Sequence, residues 1–275
     1  MATPAPPLPK TGETVLITGA SSGIGRDLAG LFAADGSQLV LLARRQERLE
    51  ALALDLNQRF GVESRVLCAD LADPAAPVQI HQTLEAWGLT VDVLVNNAGF
   101  GALGPTIDLD PQRQLDMIQV NVTALVHLTR LLLPGMVARG RGGVMNISSI
   151  AAFQPGPQMA VYFATKAFVL SFSEALAEEV RGTGVVVCCV APGAIATEFI
   201  TQAKMERLTF IKRLHRSPEW LARRAHRGFR AGKTLVVPGA PEKFSTFGNR
   251  FTPRFMVRRI VIRLLSSGAA EESQS

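Results

Sequence analysis

Short, continuous apolar runs rich in Val, Leu and Ile alternate with amphipathic stretches of helical length along most of this chain. That alternation limits its fold more than any other feature. Residues 13–18 read as a buried strand, followed by a helix over 25–34 that ends near Gly36. A second strand at 38–42 precedes a charged helix over 46–59. Strands follow at 65–68 and 91–95, with a helix over 75–87 between them. A long helix covers 112–133, then come a strand at 143–147, a helix over 159–181, a strand at 185–190 and a last strand at 235–237. Strands that are apolar on both faces must be covered on both faces. The pattern therefore predicts an α/β fold, a doubly wound parallel sheet with helices on either side. With 275 residues, no internal repeat and no break in composition, one large domain is expected rather than two.

Apolar residues make up 47% of the chain, enough for a sizeable core, yet no uninterrupted apolar run reaches the ~18 residues of a membrane span. The Pro-rich stretch 1–11 lacks the apolar core of a signal peptide and reads as a flexible leader. Cys68, Cys188 and Cys189 lie in strand-like runs without metal-ligand spacing, which predicts buried, reduced thiols, a cytoplasmic protein and no metal site. Charge is unevenly placed. Residues 1–200 carry 13 Lys/Arg and 18 Asp/Glu, whereas 201–263 carry 16 Lys/Arg and only Glu206, Glu219 and Glu242 as acids. A basic final quarter points to a phosphate-bearing ligand, an acidic partner or an anionic membrane surface.

The first strand runs into Thr18-Gly19-Ala20-Ser21-Ser22-Gly23-Ile24-Gly25, which opens a helix. Glycines allow the tight turn and let backbone N–H groups approach a pyrophosphate at the helix N-terminus; a purely structural turn is the competing reading. A fold that binds NAD places an acid at the end of the second strand to hold the ribose 2′-hydroxyl. Here Ala43 stands there and Arg44-Arg45 follow. Guanidinium groups suit a 2′-phosphate, so Arg44 points to NADP(H). The alternative is that both arginines are solvated residues opening the next helix, and Arg45 reads that way.

The chain's single tyrosine lies four residues before a lysine, in Tyr162-Phe163-Ala164-Thr165-Lys166. A phenol, with a reference pKa of about 10, is a poor acid or base at neutral pH. An ammonium one helical turn away favours the phenolate and lowers that value, so the pair reads as a proton donor or acceptor. Two residues that merely share a helix face are the alternative.

Taken together, Thr18-Gly19-x-x-x-Gly23-Ile24-Gly25, Asn96-Asn97-Ala98-Gly99, Asn121, Ser149, Tyr162, Lys166, and Pro192-Gly193 with Thr197 resemble the short-chain dehydrogenases/reductases, over roughly residues 11–240. The resemblance implies a Rossmann-type catalytic domain over 12–240 with a helical substrate lid at about 197–233. It implies a tetrad of Asn121, Ser149, Tyr162 and Lys166 that exchanges hydride between a nicotinamide and a carbonyl or secondary alcohol. In it Tyr162 moves the proton, Ser149 holds the same oxygen, Lys166 tunes the phenol and bonds the ribose, and Asn121 holds a relay water. It implies a cofactor site of Gly19, Ser21, Ser22, Gly23, Ile24, Gly25, Arg44, Asp70, Leu71, Asn97, Ala98, Gly99, Tyr162, Lys166, Pro192, Gly193 and Thr197. Asp70 would bond the adenine, though a turn cap is a second use for it. Ser149 is preferred to Ser148 because twelve residues then separate it from Tyr162, as in that family. Homodimers or homotetramers, paired through the helices at 112–133 and 159–180, are also implied.

Residues 198–214 read as a first lid helix, made apolar by Phe199, Ile200, Met205, Leu208 and Phe210, and Ser217-Pro218-Glu219 as the start of a second. Both suit a bulky apolar substrate, and the same residues could simply close the core. The extension 241–275 is basic and amphipathic over 254–265. It can lie on an anionic membrane surface or dock on its own domain or on a neighbouring subunit. Nucleic acid is not expected, since the segment lacks interleaved aromatic platforms. The leading expectation is thus a cytoplasmic NADP(H)-dependent oxidoreductase, peripheral to a membrane if the extension binds one. A non-catalytic NADP-binding sensor or scaffold is the second, and an epimerase or dehydratase the third.

Overall fold

The computed structural model describes residues 12–206, 208, 216–249 and 251–266; the expected leader 1–11 lies outside them. Its elements run β1 (Thr14–Thr18), α1 (Gly23–Ala34), β2 (Gln38–Ala43), α2 (Gln46–Phe60), β3 (Ser64–Cys68), α3 (Ala76–Ala86), β4 (Val93–Asn96) and α4 (Pro111–Ile118). A π-helical turn, Gln119–Thr123, leads into α5 (Ala124–Ala138). Then follow β5 (Gly142–Ile147), a 3₁₀ turn (Ile150–Phe153), α6 (Ala160–Glu179), β6 (Val185–Val190), α7 (Glu198–Gln202), α8 (Pro218–Arg230), β7 (Leu235–Val236), α9 (Ala240–Gly248) and α10 (Arg254–Ser266).

All seven strands pair in parallel, in the order β3-β2-β1-β4-β5-β6-β7. Successive strand residues point to opposite faces, so β1 feeds two cores. Val15 and Ile17 pack with Leu28, Phe32, Leu49, Leu221 and Phe229 from α1, α2 and α8. Leu16 packs on the other face with Ile80, Ala124, Leu128 and Leu176 from α3, α5 and α6. The expected double cover follows directly from strands that are apolar at every position. Pro111–Ala138 and Ala160–Glu179 have the length and hydropathy of a bilayer span, but both contribute buried residues to the sheet-side core.

The chain order along the sheet reverses between β1 and β4, and parallel α/β sheets hold ligands outside their carboxyl ends at such a point. Thr18 bridges the gap: its hydroxyl donates to the Val95 carbonyl and accepts from the backbone N–H groups of Asn97 and Ala98. Behind it a buried polar ladder fixes β4 against β5, with Asn96 donating to Asn146 and Thr129, and Asn146 donating to Ser173.

Three expectations change. The helix opened by residue 198 ends at Gln202, and Lys204 has a positive φ of 57°, which a helix does not continue through. Phe210 and most of the expected remainder lie outside the described residues. The helix capped by Ser217, whose hydroxyl accepts from the Trp220 N–H, begins as expected. It is not a lid, however: Leu221, Ala222, Ala225 and Phe229 are buried in the sheet-side core beside α1, so the expected lid over 197–233 contracts to its first part. Cys68 is exposed, while Cys188 and Cys189 are buried; Cys68 ends β3 at the sheet's edge, where only one neighbouring strand covers it.

Candidate active site

The turn after β1 needs its glycines for steric reasons. Gly19 has φ 68° and Gly23 φ 55°, and a Cβ on Gly25 would stand 2.4 Å from the Gly19 carbonyl oxygen. Asn97 closes this turn by donating its amide to the carbonyls of Thr18 and Gly19. Gly23, Ile24 and Gly25 form the first turn of α1, two residues ahead of the expected start. Ser22, at the N-cap, places no side-chain oxygen on the helix N–H groups, and the first turn carries no acid. Such an end is open to an anion.

Ser21 and Ser22 face Arg45, whose guanidinium donates to both hydroxyls at 3.0 Å. Arg45 also pairs with Glu198 on α7, and Arg48 pairs with the other oxygen of that carboxylate. Arg48, then Arg45, holds the Glu198 carboxyl below the usual carboxylate range. Arg44 is more exposed and lies 3.8 Å from Asp70. Asp70 also accepts from the Ala72 N–H, so it does cap a turn. Arg45 and Glu198 both line the cleft, and sequence reasoning left both out of the candidate site. The Arg44-Arg45 pair was visible, but which of the two turns toward the loop depends on the path of the chain between β2 and α2.

Asn121, Ser149, Tyr162 and Lys166 converge beyond this end of the cleft. Tyr162 and Lys166 stand one turn apart at the start of α6, with the Lys166 Nζ 5.8 Å from the centre of the Tyr162 ring. Lys166 is 6% exposed and donates to the Ile147 carbonyl at 2.9 Å. Burial pulls its ammonium down to about 8. Burial likewise pushes the Tyr162 phenol up to about 12, opposed by a hydrogen bond with Ser149. The expected lowering of the phenol by Lys166 is not found: desolvation raises it, and what opposes that is the Ser149 hydrogen bond. Ser149 caps the 3₁₀ turn, accepting from the Ala151 N–H. Ser148, just past the end of β5, is buried and donates to the Lys166 carbonyl, a structural use. Asn121 is 1% exposed, donates to the Phe100 carbonyl and the Thr165 hydroxyl, and accepts from the Phe100 N–H. It sits in the π-helical turn, a widening of the helix often found at functional sites.

One cleft of about 1220 Å³ joins these parts. Its lining runs from Arg44, Asp70 and Leu71 past Gly23 and Gly99 to Ser149 and Tyr162, and on past Pro192, Gly193 and Thr197. All of the expected cofactor residues border it except Gly25, which lies behind the loop, packed on Gly19. The uncapped helix end, the neutral Ala43 and the arginines beyond it suit a nicotinamide dinucleotide. The far end is apolar: Met159, Phe163, Ile200 and Met205 cluster with Val257, Val261 and Leu265 of α10, and Phe199 lies 5.3 Å from the Tyr162 ring.

Residues 13–207 match the short chain dehydrogenase family model. The chain is 37% identical over 209 residues to the very-long-chain 3-oxoacyl-CoA reductase of Bos taurus, covering 74% of this chain and 65% of that protein. It therefore spans slightly under two thirds of that relative's length. Among solved structures, a short-chain dehydrogenase from Sphingobium yanoikuyae in complex with NADPH matches with TM-score 0.77 and 35% identity, covering 87% of this chain and 94% of the other. A bulky-bulky ketone specific alcohol dehydrogenase from Comamonas testosteroni matches with TM-score 0.73 and 30% identity, covering 87% and 92%. With its Gly-rich turn, its Asn-Ser-Tyr-Lys cluster and these matches over most of its length, the chain belongs to the short-chain dehydrogenase/reductase family.

Proposed function

We propose that this protein is an NADP(H)-dependent oxidoreductase that interconverts a bulky apolar ketone and its secondary alcohol. The observation that carries the reading is the convergence of Ser149, Tyr162 and Lys166 in the same cleft as the open α1 N-terminus and Arg45, with Asn121 packed behind Gly99 beside Lys166. The nicotinamide supplies the hydride chemistry when bound. The α1 N–H groups receive the pyrophosphate, with Arg44 and Arg45 serving the 2′-phosphate and Asp70 and Leu71 the adenine. Asn97, Ala98 and Gly99 shape the floor, while Pro192, Gly193 and Thr197 flank the ring.

Tyr162 is the general acid in reduction. A phenol pushed to about 12 keeps its proton at neutral pH, and Ser149 aligns it with the carbonyl oxygen. Lys166, with its Nζ 5.8 Å from the centre of the Tyr162 ring, would replenish that proton through a relay, and Asn121, fixed by three hydrogen bonds, would hold the relay water. The apolar end favours a hydrophobic substrate, and the names of two relatives, a very-long-chain 3-oxoacyl-CoA reductase and a bulky-bulky ketone specific dehydrogenase, agree with that. Leu115, Ile118 and Phe168 leave apolar side chains exposed on the outer faces of α4 and α6, which supports a homodimer or homotetramer. The proposed compartment is the cytoplasm.

The test is NADPH oxidation by purified protein with a panel of bulky apolar ketones, for wild type and Tyr162→Phe. Turnover should fall roughly 10²–10⁴-fold in the variant while NADPH binding persists. Near-normal turnover in the variant would remove Tyr162 from this role. NADPH binding with no turnover of any ketone would favour the redox-sensor reading.

A further inference from the structure

The solvent face around the mouth of the cleft is both apolar and basic. Phe244 is 81% exposed, Phe247 59% and Phe251 74%, although a phenylalanine ordinarily seeks cover. Phe247 and Phe251 rest ring edge to face, 5.2 Å apart, so they form a small aromatic ridge. On α10 the strip Val257, Val261 and Leu265 is buried against the domain. The neighbouring strip, Met256, Ile260 and Leu264, repeats at the same four-residue spacing and faces outward, each residue about half exposed. Phe244, Ile260 and Leu264 also line the cleft. The exposed apolar surface and the cavity are therefore continuous.

Basic residues border this surface. Lys243, Arg254, Arg258, Arg259 and Arg263 are exposed, and residues 243–266 contain no acid. A patch of exposed aromatics next to arginines resembles neither a core nor a solvated face. It matches the chemistry of a lipid interface, where rings and aliphatic side chains enter the acyl boundary and cations meet headgroup phosphates. A second copy of the chain is a poorer occupant, because a self-complementary pairing would bring two basic faces together.

We propose that the α9–α10 face docks on an anionic bilayer, with the mouth of the cleft turned toward the acyl chains. Phe247, Phe251 and Met256 enter the boundary while Arg258, Arg259 and Arg263 engage anionic headgroups. Delivery of substrate from the bilayer into the cleft rests on the reductase reading above; docking itself does not.

The experiment is flotation of the full chain with phosphatidylcholine vesicles, with and without a third of phosphatidylserine. It is run on wild type, the triple variant F247S/F251S/M256S and the triple variant R258E/R259E/R263E. Turnover of a small water-soluble ketone is measured in the same preparations. Wild type should float with the anionic vesicles and be released by high salt. Both variants should lose at least tenfold in partitioning, with soluble-ketone turnover retained. Failure of wild type to float, or equal flotation by the variants, overturns the docking. So does a concentration-dependent dimer that only the aromatic variant abolishes, with no vesicle binding, since a second copy would then cover the face. Anionic vesicles should also raise turnover of a membrane-dissolved ketone by wild type alone; vesicle binding without that gain overturns the delivery step and leaves docking standing. Vesicle binding by a protein that turns over no ketone separates a failed reductase assignment from a correct docking surface.

Discussion

Two basic side chains in this cleft behave differently from what their sequence neighbours suggest. Lys166 is near Tyr162, but its buried ammonium has been pulled down to about 8 from 10.5. Below pH 8 the folded and unfolded chains both carry this proton, and the fold bears the full cost of a buried cation. Between pH 8 and 10.5 the unfolded chain holds the proton while the native chain releases it, so stability rises with pH. We expect wild type to gain on the order of 2 kcal/mol relative to Lys166→Met between pH 7.5 and 9.5. Urea unfolding of both proteins at the two pH values measures it, and parallel stabilities would show that Lys166 titrates normally. The other case is Arg45. Its contacts with Ser21, Ser22 and Glu198 hold it at the phosphate loop, whereas Arg44 is the more exposed of the two. A charge-assisted contact is worth about 1.5–3 kcal/mol. Arg45→Ala should therefore weaken NADPH binding roughly 10–100-fold, more than Arg44→Ala does, with little change for NADH. A larger loss in Arg44→Ala, measured by fluorescence titration, would return the 2′-phosphate to Arg44 alone.

Elements whose roles are set locally were legible in advance, and those set by tertiary partners were not. The strands and the Gly-rich turn announce themselves through composition and spacing, and Ser217-Pro218 marks the start of α8 by capping alone. The destination of α8 is a tertiary fact. An amphipathic helix after the sixth strand can close a pocket or cover a sheet, and its apolar stripe is the same in both cases. Phe229 decides the matter: it is fully buried against β5, where a Cβ on Gly143 would stand 2.6 Å from its ring. The π-helical turn around Asn121 was equally hidden, since nothing in Gln119–Thr123 distinguishes it from the helix on either side. If α8 is core, Phe229→Ala leaves a cavity under the sheet and should cost about 3–5 kcal/mol of global stability. A true lid residue would change the KM for substrate while leaving the denaturation midpoint alone, so chemical denaturation beside steady-state kinetics separates the two.

At the scale of the molecule, the end of the cleft proposed for the cofactor and the end proposed for substrate are built from separate parts. The two cores beneath the cofactor loop draw on β1–β7, α1–α3, α5, α6 and α8, and no residue of α10 belongs to either. The third cluster, over the carboxyl ends of the strands, is where Val257, Val261 and Leu265 meet Met159, Phe163 and Ile200. Sequence alone left this helix with three destinations because its apolar strip names no partner; among the described residues the fold gives that strip its own domain and leaves the adjacent strip outside. The end of α10 is also tied down by Gln158, which donates to Ser266 across the cleft rim at 2.9 Å. Removing residues 252–275 should therefore open the substrate end without dismantling the nucleotide end. NADPH affinity should stay within about threefold. The KM for a bulky apolar ketone should rise at least tenfold, the ~1.4 kcal/mol equivalent of losing half or more of one buried aliphatic contact. Loss of NADPH binding together with a collapse of thermal stability would instead make α10 a structural brace for the whole sheet. A KM unchanged for bulky and small ketones alike would mean that the α7 segment encloses substrate alone, with Phe199 beside Tyr162 as its principal contact.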